Sequence, residues 1–264
     1  MDLELNGRLA LVTGSTAGIG FAIARELARE GARVIVNGRT DERVRTAVAA
    51  IRTAVPGAQV EEFAGDFSRA QVAADFITRY PDVDVLVNNL GVYGVRPFEE
   101  ITDAEWTSII ETNFLSGVRL SRHYLPRMKA AGWGRILFIS SESAVNIPTE
   151  MIHYGVTKTM QVALARGLAE TTVGTGVTVN SVLVGPTRSE GVEQFVSQMA
   201  ASRGVEVAAV ERDFFRTARP SSLLQRFETP DEIAAMVAYL ASARASGTNG
   251  AAVRVEGGLL RSIM

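Results

Sequence analysis

The sequence predicts an α/β fold in which a doubly wound, seven-stranded parallel sheet carries helices on both faces. Short apolar runs alternate with longer helical patterns seven times along the 264 residues, which is typical of a parallel sheet. The apolar runs are nearly continuous, as expected of strands that are buried on both faces. No linker or change in composition divides the chain. A single domain over residues 1–264 is therefore expected.

The composition argues against several classes of function. The absence of cysteine excludes disulfides, thiolate metal sites and cysteine nucleophiles, and with only two histidines we expect no metal site. A formal net charge of −2 provides no basic surface for nucleic acid. The first residues lack an apolar core, and no apolar run approaches the roughly 18 residues that span a bilayer. We therefore expect a cytoplasmic protein without membrane contact.

The first strand, residues 9–13, runs into a glycine-rich turn and a helix that reaches about Arg29. Gly14 permits the sharp turn, while Gly18 and Gly20 let the backbone approach a ligand and the helix pack on the sheet. Amides at the helix start then face an anion. A plain strand–helix turn is the alternative, but the position after a first strand favours a dinucleotide site. The expected contacts are Gly14, Ser15, Thr16, Gly18, Ile19 and Gly20.

The second strand, residues 33–37, ends where a dinucleotide fold meets the adenosine ribose. An acidic residue there would hydrogen-bond the 2′-hydroxyl of NAD, but no carboxylate occurs before Asp41, which suits the start of a helix over 42–54. Arg39 is placed to pair with a 2′-phosphate. A solvated surface arginine is the alternative. The sequence therefore favours NADP, with NAD as the second choice.

The third strand, residues 59–64, is followed by Asp66 and a helix that ends near Tyr80. The Asp66 carboxylate would cap that helix, accept a hydrogen bond from an adenine amino group, or do both.

The fourth strand, residues 83–87, ends in two asparagines and Gly91, a combination that lets a ribose or nicotinamide lie against the backbone. Helical patterns over 103–112 and on to 130 follow, with Asn113 between them. Asparagine is unfavourable within a helix, so Asn113 is a candidate for reaching the site.

The fifth strand, residues 135–140, ends in serines and precedes a helix that carries Tyr154 and Lys158 and continues to about Val173. Their four-residue spacing places phenol and ammonium on one helical face, as a proton-transfer device requires. A lysine charge ~5 Å away at an effective dielectric of ~20 supplies about 3 kcal/mol. Lowering a tyrosine pKa from ~10 to ~7 needs about 4 kcal/mol. Glu142 would either touch substrate or face solvent, whereas His123 and His153 lack a partner pattern.

The last third of the chain contains a sixth strand, residues 177–184, a predicted lid, a further helix and a final strand over 251–255. Gly185-Pro186-Thr187 ends the sixth strand. Residues 188–227 have helical character in pieces, and a segment of this length between regular elements is typical of a substrate lid.

The assembled motifs resemble the short-chain dehydrogenase/reductase family over nearly the whole chain. The matching pieces are Thr13-Gly14-x-x-x-Gly18-Ile19-Gly20, Asp66, Asn88-Asn89-x-Gly91, Asn113, Ser141 and Tyr154-x-x-x-Lys158, with 13 residues from Ser141 to Tyr154. The resemblance implies a Rossmann-like fold, a nicotinamide cofactor and a homotetramer or homodimer built through the helices that bear Asn113 and Tyr154.

The resemblance also implies the site residues. The implied catalytic tetrad is Asn113, Ser141, Tyr154 and Lys158, in which Asn113 anchors a water that relays protons to Lys158. The further cofactor contacts are Arg39, Asp66, Phe67, Asn89, Gly91, Tyr154, Lys158, Pro186 and Thr187. The chain departs from the family at Leu90, where alanine is usual, and in the order Gly185-Pro186-Thr187, where Pro-Gly and a later threonine are usual.

The expected function is an NADP(H)-dependent oxidoreductase that interconverts a small-molecule carbonyl and its alcohol, with Tyr154 as general acid and base. A non-catalytic dinucleotide-binding sensor or scaffold of the same fold is one alternative. A dehydratase or epimerase of this fold is another. The sequence leaves the substrate open.

Overall fold

A computed structural model describes residues 2–263, in which seven strands form one parallel sheet with the order β3-β2-β1-β4-β5-β6-β7. The order reverses between β1 and β4, and ligands bind at such a switch point, beyond the carboxyl ends of the strands. The strands are β1 Leu9–Val12, β2 Arg33–Gly38, β3 Val60–Ala64, β4 Val85–Asn88, β5 Gly134–Ser141, β6 Val177–Val184 and β7 Ala252–Val255.

Nine α-helices connect or flank these strands within residues 2–263. They are α1 Gly18–Arg29, α2 Asp41–Ala54, α3 Ala70–Arg79, α4 Asp103–Ile110, α5 Ser116–Ala131, α6 Ile152–Glu170, α7 Glu190–Arg203, α8 Val207–Thr217 and α9 Pro230–Ala241. Helices α1, α2 and α9 share one hydrophobic core with the sheet, and α3, α5 and α6 share the core on the opposite face. The predicted doubly wound, single-domain fold is therefore confirmed.

Three local features differ from the sequence-based prediction. A π-helical turn, Glu111–Leu115, joins α4 to α5 where a continuous helical pattern was expected. Helix α6 ends at Glu170 instead of near residue 173. Helix α3 begins after Arg69, so Asp66 does not cap it, and the Asp66 Oδ1 instead accepts a hydrogen bond from the Ser68 amide at 3.0 Å.

The segment predicted as a lid folds into α7 and α8, which pack around a small core of their own. This core contains Val196, Phe215 and Phe227. Arg188 pairs with Glu211 at 2.6 Å and ties the start of the segment to α8. Within residues 2–263, no helix is long and apolar enough to cross a membrane.

Candidate active site

A cavity of about 330 Å³ lies at the carboxyl ends of the central strands. It extends from the β1–α1 turn to the start of α6, and the lid helix α7 contributes Val192 to its wall. Nine of the residues that the sequence predicts for the site line this cavity: Gly14, Ile19, Gly20, Asn89, Gly91, Ser141, Tyr154, Lys158 and Thr187. The strand-end position and the lining together fit an elongated ligand.

The glycine turn is shaped to admit a ligand against its backbone. Gly14 and Gly18 have φ of +62° and +56°, which side chains rarely tolerate. A Cβ on Gly20 would lie 2.4 Å from the Gly14 carbonyl oxygen, so only glycine fits there. Helix α1 has no side-chain cap and no acidic residue in its first turn. Its first amides therefore suit an anion such as a pyrophosphate.

Two residues that were predicted to contact the cofactor use their side chains mainly to hold the backbone of this turn in place. The Ser15 side chain is fully buried and bonds inward, since its Oγ donates to the Val12 carbonyl at 2.7 Å and accepts from the Asn37 amide at 2.9 Å. The Asn89 Nδ2 donates to the carbonyls of Thr13 and Gly14 at 2.9 and 3.1 Å. A ligand can therefore meet Ser15 only through its backbone.

Arg39 lies at the rim of the site. It is exposed and directly follows Gly38, the last residue of β2. Gly38 is pressed against the glycine turn, because a Cβ there would lie 2.4 Å from the Thr16 side chain. Arg39 is therefore the next residue after one that contacts the glycine turn, at the strand end where this fold meets an adenosine ribose, although it does not line the cavity itself.

The Phe67 side chain does not face the cavity. It is fully buried and packs on Phe63, with ring centroids 5.5 Å apart, and on Phe76 at 5.2 Å. A contact between Phe67 and a cofactor is thus possible through the backbone alone.

Ser141, Tyr154 and Lys158 meet where β5 ends and α6 begins. The Ser141 and Tyr154 side chains both line the cavity, and the Ser141 Oγ accepts from the Ser143 amide at 3.1 Å. The Lys158 Nζ lies 5.6 Å from the centre of the Tyr154 ring and donates to the Ile139 carbonyl at 2.8 Å. The phenol, the hydroxyl and the ammonium thus share one wall of the cavity.

Burial moves the pKa values of this pair in opposite directions. Desolvation raises the pKa of Tyr154 to about 12, although the hydrogen bond from Ser141 opposes the rise. Desolvation lowers the pKa of Lys158 to about 8. We expected the lysine charge to bring the pKa of the phenol to about 7. These side chains do not show that pKa, because the loss of hydration is the largest effect on the phenol. The phenol therefore stays protonated at neutral pH.

Asn113 lies inside the π-helical turn and its side chain holds the loop after β4. Its Oδ1 accepts from the Val92 amide at 2.8 Å, and its Nδ2 donates to the Val92 carbonyl and to the Thr157 hydroxyl at 2.9 and 3.0 Å. The Asn113 carbonyl accepts from the Gln161 side chain at 2.5 Å. A glutamine amide therefore lies where the resemblance implied a water.

Glu142 neither faces solvent nor lines the cavity. It is 3% exposed, and its Oε1 accepts from the Arg219 Nε at 3.0 Å. Its Oε2 is buried and lacks a hydrogen-bond partner among the described residues. Burial raises the pKa of this carboxyl in spite of Arg219.

Thr187 and Leu90, where the chain departs from the family pattern, both line the cavity. The Thr187 hydroxyl donates to the Gly185 carbonyl at 2.9 Å, and Pro186 has its carbonyl bonded to the Glu228 amide at 2.9 Å. The Leu90 amide donates to the Thr13 hydroxyl at 2.9 Å. Both segments are thus fixed by backbone contacts beside the site.

The two histidines lie outside the cavity. His123 bonds the Pro81 carbonyl at 2.9 Å, and His153 is buried with its ring centroid 6.0 Å from that of Trp106. In the part of the chain that the structure describes, no group of three or more histidine, aspartate or glutamate side chains could hold a metal ion.

Sequence reasoning missed two residues near this site. Gln161 follows Lys158 by three positions, a spacing that places both on one helical face, and it could have been noticed as a polar residue among Val162 and Leu164. Arg219 is one of several arginines around the lid, and nothing in the sequence distinguishes it from the exposed ones.

Comparison with known proteins places this geometry among hydride-transfer enzymes. A family model described as short chain dehydrogenase matches residues 8–200. The chain is 46% identical to the uncharacterized oxidoreductase YvrD of Bacillus subtilis, with full coverage of both chains. It is 34% identical to D-beta-hydroxybutyrate dehydrogenase of Cupriavidus necator, covering 96% of this chain and 98% of the relative. L-sorbose reductase of Gluconobacter frateurii, solved with NADPH and L-sorbose, superposes with a TM-score of 0.92 at 28% identity over both full chains.

Proposed function

The chain belongs to the short-chain dehydrogenase/reductase family, and from that premise we propose that it is an NADP(H)-dependent oxidoreductase that interconverts a carbonyl compound and its alcohol. The observation that carries the proposal is the single cavity that joins the glycine turn to Ser141 and Tyr154. A nucleotide held at the turn and a substrate oxygen held at the hydroxyls would be neighbours there.

The residues present fit a nicotinamide dinucleotide. The uncapped start of α1 would hold the pyrophosphate. The backbone of Gly91, where a Cβ would lie 3.3 Å from the Lys158 Nζ, leaves room beside the ammonium for a ribose. Thr187 lines the same cavity as Tyr154 and would contact the nicotinamide amide. When bound, the cofactor supplies or accepts the hydride.

The protein's own contribution is the handling of one proton. Ser141 holds the substrate oxygen, and Tyr154 gives its proton to that oxygen during reduction or takes it during oxidation. A pKa of about 12 keeps Tyr154 protonated at neutral pH, which suits the acid role. The charge on Lys158 stabilises the phenolate that is left behind. The arrangement therefore favours carbonyl reduction.

The preference for NADP rests on the end of β2. The side chain of the buried Asn37 accepts a hydrogen bond from the Gly14 amide and donates to two carbonyls at the end of β3. The next acidic residue, Asp41, begins α2. Arg39 is the exposed charge at this edge and would pair with a 2′-phosphate. The NADPH complex of the sorbose reductase relative is consistent with this choice.

Binding measurements test the cofactor proposal. We expect NADPH to bind more tightly than NADH to the unmodified protein, and Arg39→Ala to weaken NADPH by about tenfold, one charge-assisted contact, without changing NADH. Arg45→Ala, an exposed arginine on α2, is the matched control and should leave both affinities unchanged. Tighter binding of NADH to the unmodified protein would overturn the preference.

The substrate is proposed as a small carbonyl compound, and the relatives define the panel. L-sorbose, acetoacetate and a β-ketoacyl thioester represent the substrates in the names of the sorbose reductase, the hydroxybutyrate dehydrogenase and the ketoacyl reductases. NADPH oxidation in step with product formation supports the oxidoreductase. Binding of NADPH without turnover on a broad carbonyl and alcohol panel would favour the sensor. Conversion of substrate without net change in cofactor would favour the dehydratase or epimerase.

We also propose a homotetramer or homodimer, as the family implies. Light scattering coupled to size-exclusion chromatography measures the mass directly. A mass of one chain, 28.3 kDa, at micromolar concentration would contradict this part of the proposal.

A further inference from the structure

The buried side-chain amide of Gln161 connects Asn113 with Lys158 in the proposed proton-transfer site. The Gln161 side chain is 1% exposed. Its Nε2 donates to the Asn113 carbonyl at 2.5 Å, and its Oε1 accepts from the Lys158 Nζ at 3.3 Å. An ammonium only donates and a carbonyl only accepts, so the amide can take no other orientation between them. The link is thus polar, oriented and sealed from solvent.

The partners of Gln161 have few other ways to be satisfied. In the π-helical turn the amide of Ser116 bonds to the Glu111 carbonyl, five residues back, and the Thr112 carbonyl accepts from the Ser116 hydroxyl at 2.6 Å. Two carbonyls of this turn, those of Thr112 and Asn113, thus accept hydrogen bonds from side chains. Lys158 is 4% exposed and has one further acceptor, the Ile139 carbonyl. Loss of the amide would leave a buried carbonyl and a buried ammonium short of partners.

We infer that Gln161 is a positioning residue that occupies the place of a solvent molecule between the Asn113 carbonyl and Lys158. It holds the ammonium toward Tyr154 and closes the route by which protons would pass along Asn113. A water in this position could both accept and donate protons, whereas a neutral amide does not give up its proton at ordinary pH. Protons must then reach Tyr154 from the open side of the cavity. This inference rests on the proposed oxidoreductase activity.

Two substitutions separate this role from simple packing. Gln161→Met keeps most of the volume but removes both hydrogen bonds. Gln161→Ala removes the same bonds and opens a polar space large enough for water, which would bond to the carbonyl and the ammonium. A packing residue predicts that methionine is tolerated better than alanine. A residue that replaces solvent predicts the reverse.

The pH profile of carbonyl reduction supplies the main readout. In Gln161→Met the ammonium loses an acceptor, so the alkaline limb should move to lower pH by about 0.5–1 unit. In Gln161→Ala the limb should return to within about 0.2 unit of the unmodified enzyme, because water restores the link. The other titratable groups that act on Tyr154 are Glu142 after β5, Tyr93 after β4 and Arg219 after α8, and none of them is changed. Val162→Ala, which truncates the next residue of α6, is the control and should leave the profile unchanged.

A crystal structure of Gln161→Ala gives a readout that does not depend on turnover. We expect a water within hydrogen-bond distance of both the Asn113 carbonyl and the Lys158 Nζ. The inference is overturned if that space stays dry, if alanine shifts the limb as far as methionine, or if neither variant shifts it. Absence of turnover in the unmodified protein would instead refute the proposed oxidoreductase, and the crystal structure would still decide the role of Gln161.

Discussion

At the scale of single residues, the site is governed by the cost of burying charge. The Tyr154 phenol is held in its neutral form and Lys158 is pushed toward losing its proton, both through desolvation. A pKa of about 8 still leaves most lysines charged at neutral pH. Tyr154 is therefore in the state in which it can donate a proton, and the charged Lys158 can stabilise the phenolate that results.

This balance predicts a pH dependence for carbonyl reduction. The phenolate is stabilised only while Lys158 is charged, and the charged fraction falls as the pH rises through about 8. The rate of reduction should therefore be flat near neutrality and decline above about pH 8. Steady-state rates at saturating NADPH from pH 6 to 10 measure this limb. NADPH affinity over the same range is the control, and a rate that stays constant to pH 10 contradicts the role of the lysine charge.

The proton donor itself is tested by Tyr154→Phe. General acid catalysis contributes about 10²–10⁴-fold to a rate, so we expect turnover to fall by at least that range while NADPH still binds. Tyr239→Phe removes a hydroxyl from an exposed tyrosine on α9 and should leave turnover unchanged. Comparable activity in Tyr154→Phe and the unmodified enzyme would remove Tyr154 from the mechanism.

The residues that could be predicted for the site are those whose spacing is local. Tyr154 and Lys158 are four positions apart, and their common face follows from helix geometry. The partners of Glu142 and Asn113 could not be predicted, because Arg219 and Gln161 are 77 and 48 residues away along the chain. Such contacts depend on how elements pack, which no local pattern encodes.

At the scale of elements, the turn between β1 and α1 limits what can bind. Ser15, Asn37 and Asn89 hold its backbone, while the start of α1 that follows it has no side-chain cap. Gly20 leaves no space for a side chain, since a Cβ there would lie 2.4 Å from both the Gly14 carbonyl and the Asn89 Nδ2.

Gly20→Ala should therefore disturb the cofactor site. Overpacking of this kind costs about 1–3 kcal/mol. If this cost destabilises the conformation of the turn that binds NADPH, the affinity for NADPH should fall by roughly tenfold or more. Gly167→Ala is the matched control, because a Cβ there meets no atom within 4 Å. Alanine in that helix should stabilise the protein by about 0.5–1 kcal/mol. Calorimetric titration and thermal unfolding measure the two effects, and unchanged NADPH affinity in Gly20→Ala would contradict them.

The elements themselves were largely predictable, with one instructive exception. Strands that are buried on both faces are visible in the sequence as long apolar runs. Their alternation with helical patterns along the chain predicts a parallel sheet. The π-helical turn Glu111–Leu115 adds a single residue to a helical pattern, so the periodicity on either side hides it. Asn113 lies within this turn, and its carbonyl accepts a hydrogen bond from the Gln161 side chain.

At the scale of the whole molecule, the lid is joined to the sheet at a few points. Its small core of Val196, Phe215 and Phe227 packs within the segment. The pairing of Thr187 with Glu228 closes its base, and the ion pair of Arg219 with Glu142 joins its far end to the residue after Ser141. The sequence predicts a lid over about 188–227 from the length and the piecewise helical character of the segment, but these attachments are tertiary and could not be predicted. A single change at Arg219 therefore tests whether the lid and the catalytic strand behave as one unit.

Arg219→Met removes the one charge that faces a nearly buried carboxylate. The side chains of Arg219 and Glu142 are 12% and 4% exposed, and a buried charge left without its partner costs about 3–5 kcal/mol. The pKa of Glu142 is already raised by burial and should rise further in the variant. A carboxyl with a raised folded-state pKa is most stabilising when protonated, so stability is retained below the unfolded value near 4.5 and lost as the pH increases above it.

Denaturant unfolding of Arg219→Met at about pH 5 and about pH 8 should therefore show the larger loss at the higher pH. Adding Glu142→Gln removes the uncompensated charge, so the double variant should be more stable than Arg219→Met at pH 8 and show less pH dependence. Arg216→Met breaks an exposed ion pair within α8, three residues before Arg219, and should have little effect, because exposed pairs contribute little. If Arg219→Met and Arg216→Met unfold alike at both pH values, the ion pair does not couple the lid to the sheet, and the attachments at the base of the segment alone would hold it over the cavity.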